Sequence, residues 1–314
     1  GINGFGIQYL DSDPTNPITG QVWYNNTTKA LKGATPGVGA WSSGGALNTA
    51  RSQLAGAGTQ TAGIVMGGDG GTPSDLAITE LYNGSSWSES GDLNNARTSF
   101  AGSGTQTAAL AIGGVSADAP KTESFNGSVW TELGNLNVGR PALYAVGTST
   151  ASLAFGGPNA TELWNGSSWT SLNNLNTARS DLSGAGTTTA AVAYGGEPPS
   201  AKTLTEKFDG TNWTVANVLP TGIFGGWGSG VQTNALLFGG NTPPGAKSAV
   251  TYIFDGTNWT TGANLGTAVY QPAGSVGGTG ATALQAGGGV ASGYNNGTEE
   301  WTVTDYAIKT FDVS

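Results

Sequence analysis

Four arginines and four glutamates are the residues whose types and spacing most suggest chemistry. Each arginine precedes a run of small residues, and a glutamate follows it within the same copy of a repeated segment. The couples are Arg51 with Glu80, Arg97 with Glu123, Arg140 with Glu162, and Arg179 with Glu206. Exposed around one opening, the guanidinium groups would bind an anionic sugar. Paired with the carboxylates in bidentate geometry, they would instead lock each copy of the repeat.

Two further copies of the segment help to choose between these roles. In a fifth copy the aligned residues are Ile223 and Tyr252, so both charges are absent together. A sixth copy has Val269 in place of the arginine and keeps Glu299. Joint presence and joint absence indicate that the two side chains contact each other. We therefore favour structural ion pairs, in which removal of one partner would be strongly destabilising.

Composition excludes most other chemistry. The 314 residues include no His and no Cys, and the net charge is −9 with 11 scattered basic residues. Histidine bases, thiol nucleophiles and disulfides are therefore excluded. The basic patch that nucleic-acid binding needs is absent, and no apolar run approaches the ~18 residues of a transmembrane helix. We expect no nucleic-acid partner and no membrane insertion.

Carboxylates and glycines elsewhere form incomplete sites. Asp11 with Asp13, and Asp69 with Asp75, offer oxygen ligands for calcium, but neither group is a full ligand set. The glycines at 67–71 are followed by neither a helical pattern nor a suitably placed lysine, so no phosphate loop is predicted. We predict no catalytic residues, no metal and no cofactor.

The elements that must position these residues recur six times. An apolar run ending in Gly-Gly returns at intervals of 39 to 48 residues. Each copy has a small-residue strand a, this apolar strand b, a Thr-Glu-x-aromatic strand c, and a strand d that begins at Trp. An Asn-Gly or Asp-Gly step between c and d predicts a type I′ hairpin, in which both central residues have positive φ. Helical periodicity is absent, so the chain is predicted to be all-β.

The sixth copy lacks strand d, and a matching segment lies near the N-terminus. AWSSGGALNTAR at 40–51 matches SWSESGDLNNAR at 86–97, so Trp41 supplies the missing strand. Termini that share one sheet close a ring without a free edge. The prediction is a six-bladed β-propeller over residues 41–301, closed by an N-terminal d strand. Segments 1–40 and 302–314 lie outside it, and alternation at 306–313 predicts an extra strand on the closing blade.

The Gly-Gly run, the aromatic residue and the Trp together resemble kelch repeats, and the resemblance covers residues 41–301. Kelch-like propellers imply binding far more often than catalysis, although a fold alone does not define a function. The repeats are also similar to kelch-like propellers in structural proteins of tailed bacteriophages. NPITGQVWYNNTTKALKG, at 16–33, resembles attachment segments of phage fibre-type and other virion proteins. These resemblances imply a virion location, with other virion proteins bound through 1–40 and 302–314.

A second resemblance concerns the hexapeptide FDGTNW, which occurs at 208–213 and 254–259. It is similar to the Asp-box of sialidases. Here glycine directly follows the aspartate, and the four sister positions lack the hexapeptide. We interpret FDGTNW as a hairpin turn with a packing Trp.

Ligand recognition is expected on the b–c loops, because these loops differ between copies while the strands repeat. In a propeller the b–c and d–a connections share one face. The candidate ligand residues on that face are Asp69, Asp75, Asp118, Glu197, Lys202, Lys247 and Trp227. Trp227 replaces a small residue at the start of strand a, and a side chain exposed there would stack on a sugar ring.

Three functions agree with these features. We favour a non-enzymatic, virion-associated propeller of a phage-like particle that adheres to a host-surface glycan or decorates and reinforces the shell. The second is a glycan-processing enzyme of sialidase-like or lyase-like type, which would need two carboxylates facing each other in one pocket. The third is a bacterial secreted or surface interaction protein. The repeats do not distinguish adhesive from structural use.

Overall fold

The computed structural model describes residues 7–15, 17, 20–72, 75–197, 202–304 and 306–311. Parts of segments 1–40 and 302–314 and of the loop at 197–202 lie outside the described residues. Apart from a 3-10 turn at Ser116–Asp118, the described secondary structure is all β. The chain divides into two compact units, Trp41–Trp301 and a smaller one formed by Gly1–Ala40 with Thr302–Ser314.

Short strands follow one another along the whole described chain. In chain order they are β1 (Gln8–Leu10), β2 (Val22–Asn25), β3 (Ala30–Pro36), β4 (Gly39–Ser43), β5 (Ala55–Gly58), β6 (Gly63–Asp69), β7 (Asp75–Tyr82), β8 (Trp87–Ser90), β9 (Ala101–Thr105), β10 (Ala108–Ile112), β11 (Thr122–Phe125), β12 (Trp130–Glu132), β13 (Tyr144–Gly147), β14 (Ser152–Phe155), β15 (Thr161–Trp164), β16 (Trp169–Ser171), β17 (Ser183–Gly186), β18 (Ala191–Tyr194), β19 (Thr205–Phe208), β20 (Trp213–Ala216), β21 (Trp227–Val231), β22 (Asn234–Phe238), β23 (Asn241–Thr242), β24 (Ala246–Lys247), β25 (Thr251–Phe254), β26 (Trp259–Thr261), β27 (Ala273–Gly274), β28 (Thr282–Ala286), β29 (Gly289–Val290), β30 (Gly293–Tyr294), β31 (Thr298–Val303) and β32 (Tyr306–Phe311).

The larger unit is built from repeated four-stranded sheets in which a, b, c and d strands lie side by side. The first four sheets have the orders β5-β6-β7-β8, β9-β10-β11-β12, β13-β14-β15-β16 and β17-β18-β19-β20. The next has β21-β22-β25-β26, and a further sheet has β27-β28-β31-β4, which includes a strand from the N-terminal part of the chain. Two small hairpins, β23-β24 and β29-β30, extend the b–c loops of these last two sheets. An all-β fold of repeated antiparallel sheets is the architecture of a β-propeller.

Inner a strands consist of small residues because they approach one another closely. A Cβ atom added to Gly102 in β9 would lie 2.4 Å from the carbonyl oxygen of Gly56 in β5. A Cβ atom on Gly56 would in turn lie 2.4 Å from the carbonyl oxygen of Gly274 in β27. Only glycine permits this approach between backbones. The small-residue text of strand a is therefore a packing requirement between neighbouring sheets.

The turn between c and d differs from the predicted type I′ hairpin. In the first sheet Asn83 N donates to Ser86 O at 3.2 Å, so Gly84 and Ser85 are the two central residues. Gly84 has a φ of 91°, whereas Asn83 and Ser85 are not left-handed. A positive-φ glycine at the first central position is typical of a type II′ turn. The prediction was wrong by one residue, since the asparagine precedes the two central positions.

The acceptor side chain before the glycine caps this turn. The Asn83 carboxamide oxygen accepts from the backbone amides of Ser85 and Ser86 at 3.0 and 2.9 Å. In FDGTNW the Asp209 carboxylate does the same with Thr211 and Asn212 at 2.8 and 2.7 Å. These bonds, chiefly that from Asn212, lower the pKa of the exposed Asp209. A turn cap thus accounts for the aspartate of the hexapeptide.

Tryptophan and threonine connect each sheet to the next. In every case a d-strand indole Nε1 donates to the hydroxyl of a c-strand threonine in another sheet, at 2.8–3.0 Å. The pairs are Trp41–Thr251, Trp87–Thr298, Trp130–Thr79, Trp169–Thr122, Trp213–Thr161 and Trp259–Thr205. Five of these indoles are also buried, and the sixth, Trp41, is half-buried. Trp and the threonine of the Thr-Glu text therefore recur because they meet between sheets.

The smaller unit contains one further sheet, with the strand order β1-β2-β3-β32. β1 and β2 are parallel, and β32 pairs antiparallel with β3, from Leu31 opposite Phe311 to Pro36 opposite Tyr306. The expected extra strand at the C-terminus exists, but its placement on the closing blade was wrong. It completes the sheet of the N-terminal segment instead.

Asp13 holds this smaller unit together. Its carboxylate accepts from Lys32 Nζ at 2.7 Å, from Asn25 Nδ2 at 2.7 Å and from Trp23 Nε1 at 2.9 Å. These bonds, chiefly that from Lys32, lower the pKa of Asp13 to about 2. Because both carboxylate oxygens have protein donors, Asp13 is a structural residue.

Candidate functional site

Six residues just before the inner strands form one connected set, which we call the rim. They are Gln53, Ser99, Ala142, Asp181, Gly225 and Gln271. Each lies two residues after the position that holds arginine in the first four repeats. All six are left-handed, with φ between 47° and 61°. A left-handed non-glycine residue costs about 1 kcal/mol and persists only where its surroundings fix it, commonly at functional sites.

Hydrogen bonds join the rim residues head to tail. The amide of each donates to the carbonyl of the preceding rim residue at 2.7–3.1 Å, and Gln53 N donates to Gln271 O, so the series returns to its start. Side chains pair as well. Ser99 Oγ donates to Gln53 Oε1, and Gln271 Nε2 donates to Asp181 Oδ1, both at 2.8 Å. The rim side chains are thereby held around one opening.

The opening leads into a pocket that we call the rim pocket. It is a partly open pocket with a volume of about 50 Å³. All six rim residues line it, together with the side chains that follow them in sequence, including Leu54, Phe100, Leu143 and Leu182. Tyr144 and Trp227 complete the lining. This volume holds a few water-sized groups, so a larger ligand would enter the pocket only in part.

Tyr144 and Trp227 occupy equivalent positions at the start of β13 and β21. Their rings pack edge to face with centroids 5.3 Å apart, and Tyr144 Oη donates to Gly228 O at 2.6 Å. Burial raises the pKa of Tyr144, so this hydroxyl remains a donor. Trp227 is 6% exposed. An exposed sugar platform at Trp227 is therefore excluded, and the indole instead forms part of the pocket wall.

Asp181 is the one titratable residue of the rim. Burial, with a smaller contribution from the charge of Glu197, raises the pKa of Asp181 despite its bond from Gln271. Glu197 lies alongside because its backbone exchanges two hydrogen bonds with Ser180, at 2.6 and 2.9 Å. Burial and the charges of Asp181 and Glu197 also raise the pKa of Tyr270. This side of the pocket is acidic.

The four arginines lie beneath the rim and do not face the pocket. Arg51 Nη1 is 2.5 Å from Glu80 Oε1, and Arg179 Nη1 is 2.9 Å from Glu206 Oε1. The remaining ion pairs are Arg97 with Glu123 and Arg140 with Glu162. All eight side chains are at most 2% exposed. Burial lowers the pKa of Arg51, Arg140 and Arg179, while the paired glutamates oppose this effect.

Each ion pair also fixes the d–a connection that carries a rim residue. Glu123 Oε2 accepts from Asn94 N and Asn94 Nδ2 at 2.8 and 2.7 Å. Asn94 Nδ2 is also 3.1 Å from Trp130 O. The asparagine after Leu in the repeated text was not among the predicted site residues, although its recurrence could have indicated it.

The fifth and sixth repeats show how the connection adapts when charges are lost. Pro220, which has no amide hydrogen, stands where the first four repeats have asparagine, and Ile223 and Tyr252 are 1% and 6% exposed. In the sixth repeat Glu299 accepts from Gly266 N at 2.7 Å and from Thr267 N at 3.1 Å. A donor is therefore kept wherever the glutamate is kept.

Two of the predicted loop residues adjoin the rim through backbone pairing. Asp69 pairs with Ser52, and Glu197 pairs with Ser180, so each lies next to a residue that precedes the rim. The Asp69 carboxylate accepts from Tyr294 Oη at 3.0 Å. A third predicted residue, Lys247, places its ammonium 5.6 Å from the centroid of the Tyr270 ring.

The other predicted loop residues do not line the rim pocket. Asp75 is exposed and pairs with Asp69 across β6 and β7. Asp118 forms an ion pair with Lys121 at 3.1 Å. Lys202 is half-buried, and its amide donates to Gly196 O at 2.7 Å. Of the seven predicted residues, Trp227 is the one that lines the pocket.

Sequence reasoning missed the rim because its side chains share no type. The six positions hold Gln, Ser, Ala, Asp, Gly and Gln, and only the left-handed backbone conformation is common to all of them. The available signal was positional, since each rim residue lies two residues after the arginine position. Among the described residues, no three carboxylates are grouped so that they could hold a metal ion. No helix in the described part of the chain is long and apolar enough to cross a membrane.

Comparison with known proteins identifies a class of fold. No protein-family model and no curated protein matches the chain. A solved structure titled "Structure of YjhT" is similar, with a TM-score of 0.68 and 12% sequence identity, over 85% of this chain and 99% of that chain. Together with the repeated four-stranded sheets, this similarity defines a β-propeller. At such low identity it concerns the fold alone, so the kelch-like and phage-like resemblances stay predictions.

Proposed function

We propose that the Trp41–Trp301 unit is a six-bladed, kelch-like propeller closed by β4. Two sets of six hydrogen bonds support this blade count. The rim amides form one set, and the Trp–Thr pairs form the other. Each set returns to the repeat where it began, as a closed ring requires.

We propose further that this propeller is a non-enzymatic binding module that adheres to a host-surface glycan from a phage-like particle. The observation that carries this proposal is the rim pocket, whose lining comes from all six repeats. Five non-glycine rim residues accept left-handed strain around it. A propeller that only decorated or reinforced a shell would not need such strain at one opening, so we favour adhesion over purely structural use.

The expected result for the intact protein is retention of a host-surface polysaccharide without turnover. Immobilised protein should hold the polysaccharide, and no new reducing ends should form during prolonged incubation. The physical reason is that the rim supplies one carboxylate, Asp181, whereas glycoside hydrolysis uses two that flank the bond. Binding is measured by retention of labelled polysaccharide, and turnover by reducing-end release.

One observation favours the alternative of a glycan-processing enzyme. The raised pKa of Asp181, near Glu197 and Tyr270, is what a general acid would need. Release of sugars that Asp181→Asn abolishes would establish that alternative and overturn the non-enzymatic proposal. If the protein neither retains nor cleaves host polysaccharide, the adhesive proposal is wrong. A bacterial secreted or surface interaction protein would be indicated by detection of the chain on cells that carry no particles.

The smaller unit is proposed to attach the propeller to other virion proteins. Several large apolar side chains of its sheet are exposed, including Tyr9 at 70%, Ile308 and Phe311. β1 and β32 are the edge strands of that sheet, and edge strands are common sites of pairing between chains. Because exposed apolar groups on a small sheet are costly unless a partner covers them, this unit is the expected contact with the particle.

Attachment predicts that the double substitution Tyr9→Asp/Phe311→Asp reduces incorporation into particles by at least about tenfold, since two charges would enter an apolar interface. Incorporation is measured by immunogold labelling of purified particles. The control is Val215→Asp, which changes an equally exposed valine (67%) on β20 of the propeller unit. Equal incorporation of both variants would contradict attachment through this unit, and absence of the wild-type chain from all particles would contradict the virion location.

A further inference from the structure

We propose that the rim pocket binds an uncharged pyranose unit, an inference that rests on the glycan-binding function proposed above. Pyranose rings have an apolar face of C–H groups and an edge of hydroxyl groups. The pocket has a matching division into an aromatic wall and a polar arc. The charge around its opening then selects uncharged rings over acidic ones.

The aromatic wall lies beside the two smallest rim residues. Ala142 and Gly225 interrupt the polar rim, and in each case the residue two positions later is aromatic, Tyr144 and Trp227. The other four inner strands have Ala or Ser at that position. Large side chains thus occur where the rim leaves space, and the two rings contact each other. The two rings are 4% and 6% exposed, so it is their edges that give this part of the pocket an apolar lining against which C–H groups of a sugar would pack.

The polar arc is formed by three of the remaining rim residues. Gln271, Gln53 and Ser99 are consecutive on the rim and form the arc. Asp181 lies opposite Gln53, between Ala142 and Gly225, and is joined to the arc by the hydrogen bond from Gln271 Nε2. Amide, hydroxyl and carboxylate groups supply both donors and acceptors. Because two side-chain hydrogen bonds already fix their positions, these groups are organised before a ligand arrives, which reduces the entropic cost of binding.

Trp227 adds an unsatisfied donor to the pocket wall. Its indole Nε1 is buried and has no hydrogen-bond partner among the described residues. A buried donor without a partner is costly and uncommon. Because this atom is closed to solvent, a sugar hydroxyl would reach it only after the indole ring shifts.

Charge excludes an acidic sugar from the same place. Asp181 lies on the rim, and Glu197 adjoins it by pairing with Ser180. Asp69 adds a further carboxylate on the opposite side, where it pairs with Ser52 beside Gln53. The guanidinium groups that would neutralise a carboxylate or sulfate are buried in ion pairs. An anionic ligand in the pocket would therefore face Asp181 without a counter-charge from the rim.

The first test asks whether Asp181→Asn weakens or strengthens the binding of glycans. Wild type and variant are compared on an array of uncharged, sialylated and sulfated glycans, followed by calorimetry with the best uncharged glycan. We expect wild-type binding to uncharged glycans and a loss of at least about tenfold in the variant, because a charged acceptor for sugar hydroxyls is removed. Tighter binding by the variant, or wild-type binding to acidic glycans alone, would overturn the proposal.

The second test fills the space that the apolar ring face would occupy. Ala142→Asn is suitable because asparagine adopts left-handed conformations readily, and the melting temperature verifies the fold. We expect at least about tenfold weaker binding, since the added side chain covers the wall formed by Tyr144 and Trp227. The control is Lys29→Asn, at a left-handed, exposed residue outside the propeller unit, which should leave the affinity unchanged.

The outcomes separate this inference from the function on which it rests. Binding of acidic glycans that Ala142→Asn abolishes would retain the pocket as a glycan site and refute the uncharged class. Binding of uncharged glycans that Ala142→Asn leaves intact would refute the pocket as their site. Absence of binding to every glycan by the wild type would refute the proposed function itself.

Discussion

Arg97→Ile should lower the free energy of unfolding by about 3–5 kcal/mol. The substitution leaves the Glu123 carboxylate buried, with bonds from Asn94 but without its counter-charge. Isoleucine is the residue that the fifth repeat has at this position, so its size and shape suit the site. The loss is measured by guanidinium unfolding followed by tryptophan fluorescence.

The matched control gives the second repeat all three residues that the fifth repeat has at the arginine, glutamate and asparagine positions. The triple variant Arg97→Ile/Glu123→Tyr/Asn94→Pro removes the charge, its partner and the amide hydrogen that the partner accepted. We expect it to be more stable than Arg97→Ile alone, because no charge is left buried without a partner. If the triple variant is less stable than Arg97→Ile, the Arg–Glu ion pair stabilises the fold by more than the cost of burying its two charges, and our explanation is wrong.

Comparison of the repeats within this one sequence was enough to predict the Arg–Glu contact, but not the role of the asparagine. Joint absence of the two charges in the fifth repeat predicted contact between Arg and Glu, and the ion pairs lie within hydrogen-bond distance. It did not predict the role of asparagine, since the backbone donor is invisible in a pattern of side chains. In the first four repeats the asparagine amide donates to the glutamate of the ion pair. The fifth repeat has no glutamate, so Pro220, which has no amide hydrogen, is tolerated at the asparagine position.

Strands were predictable where packing dictates residue type. Small residues mark inner strands because backbones meet there, and Trp marks d strands because it donates to threonine in the next sheet. The turn was displaced by one residue because Asn-Gly fits a type I′ turn and, one position earlier, the cap of a type II′ turn. Residue type alone cannot separate these two registers.

The candidate site was less predictable because it depends on backbone conformation and on combinations of residues. A left-handed φ tolerates Gln, Ser, Ala, Asp and Gly at the rim, so no residue type identifies the position. Trp227 was recognised as a replacement of a small residue, but its burial follows from Tyr144, the equivalent replacement in another repeat. The contact between Tyr144 and Trp227, which accounts for the burial of both, becomes apparent only when the inner strands are placed around one pocket.

Trp41→Ala should lower the free energy of unfolding by about 3 kcal/mol, at the lower end of the range for large aromatic residues because the side chain is half-buried. Its indole donates to Thr251 Oγ1 at 2.8 Å. The ring also packs edge to face on Phe238, with centroids 4.9 Å apart, and lies 5.5 Å from Trp301. Loss of these contacts would release β4 from its neighbours. Guanidinium unfolding followed by far-ultraviolet circular dichroism measures the change.

The internal control is Trp130→Ala, which removes the equivalent indole from a sheet whose four strands are consecutive in sequence. Its bond to Thr79 is the same at 3.0 Å, and the side chain is more buried, so a loss of about 3–5 kcal/mol is expected. A closed ring requires Trp41→Ala to approach this value, because β4 is then as necessary as any other d strand. A loss below about 1 kcal/mol for Trp41→Ala, with the full loss for Trp130→Ala, would mean that β4 frays from its sheet in solution. The six-bladed closure would then be wrong.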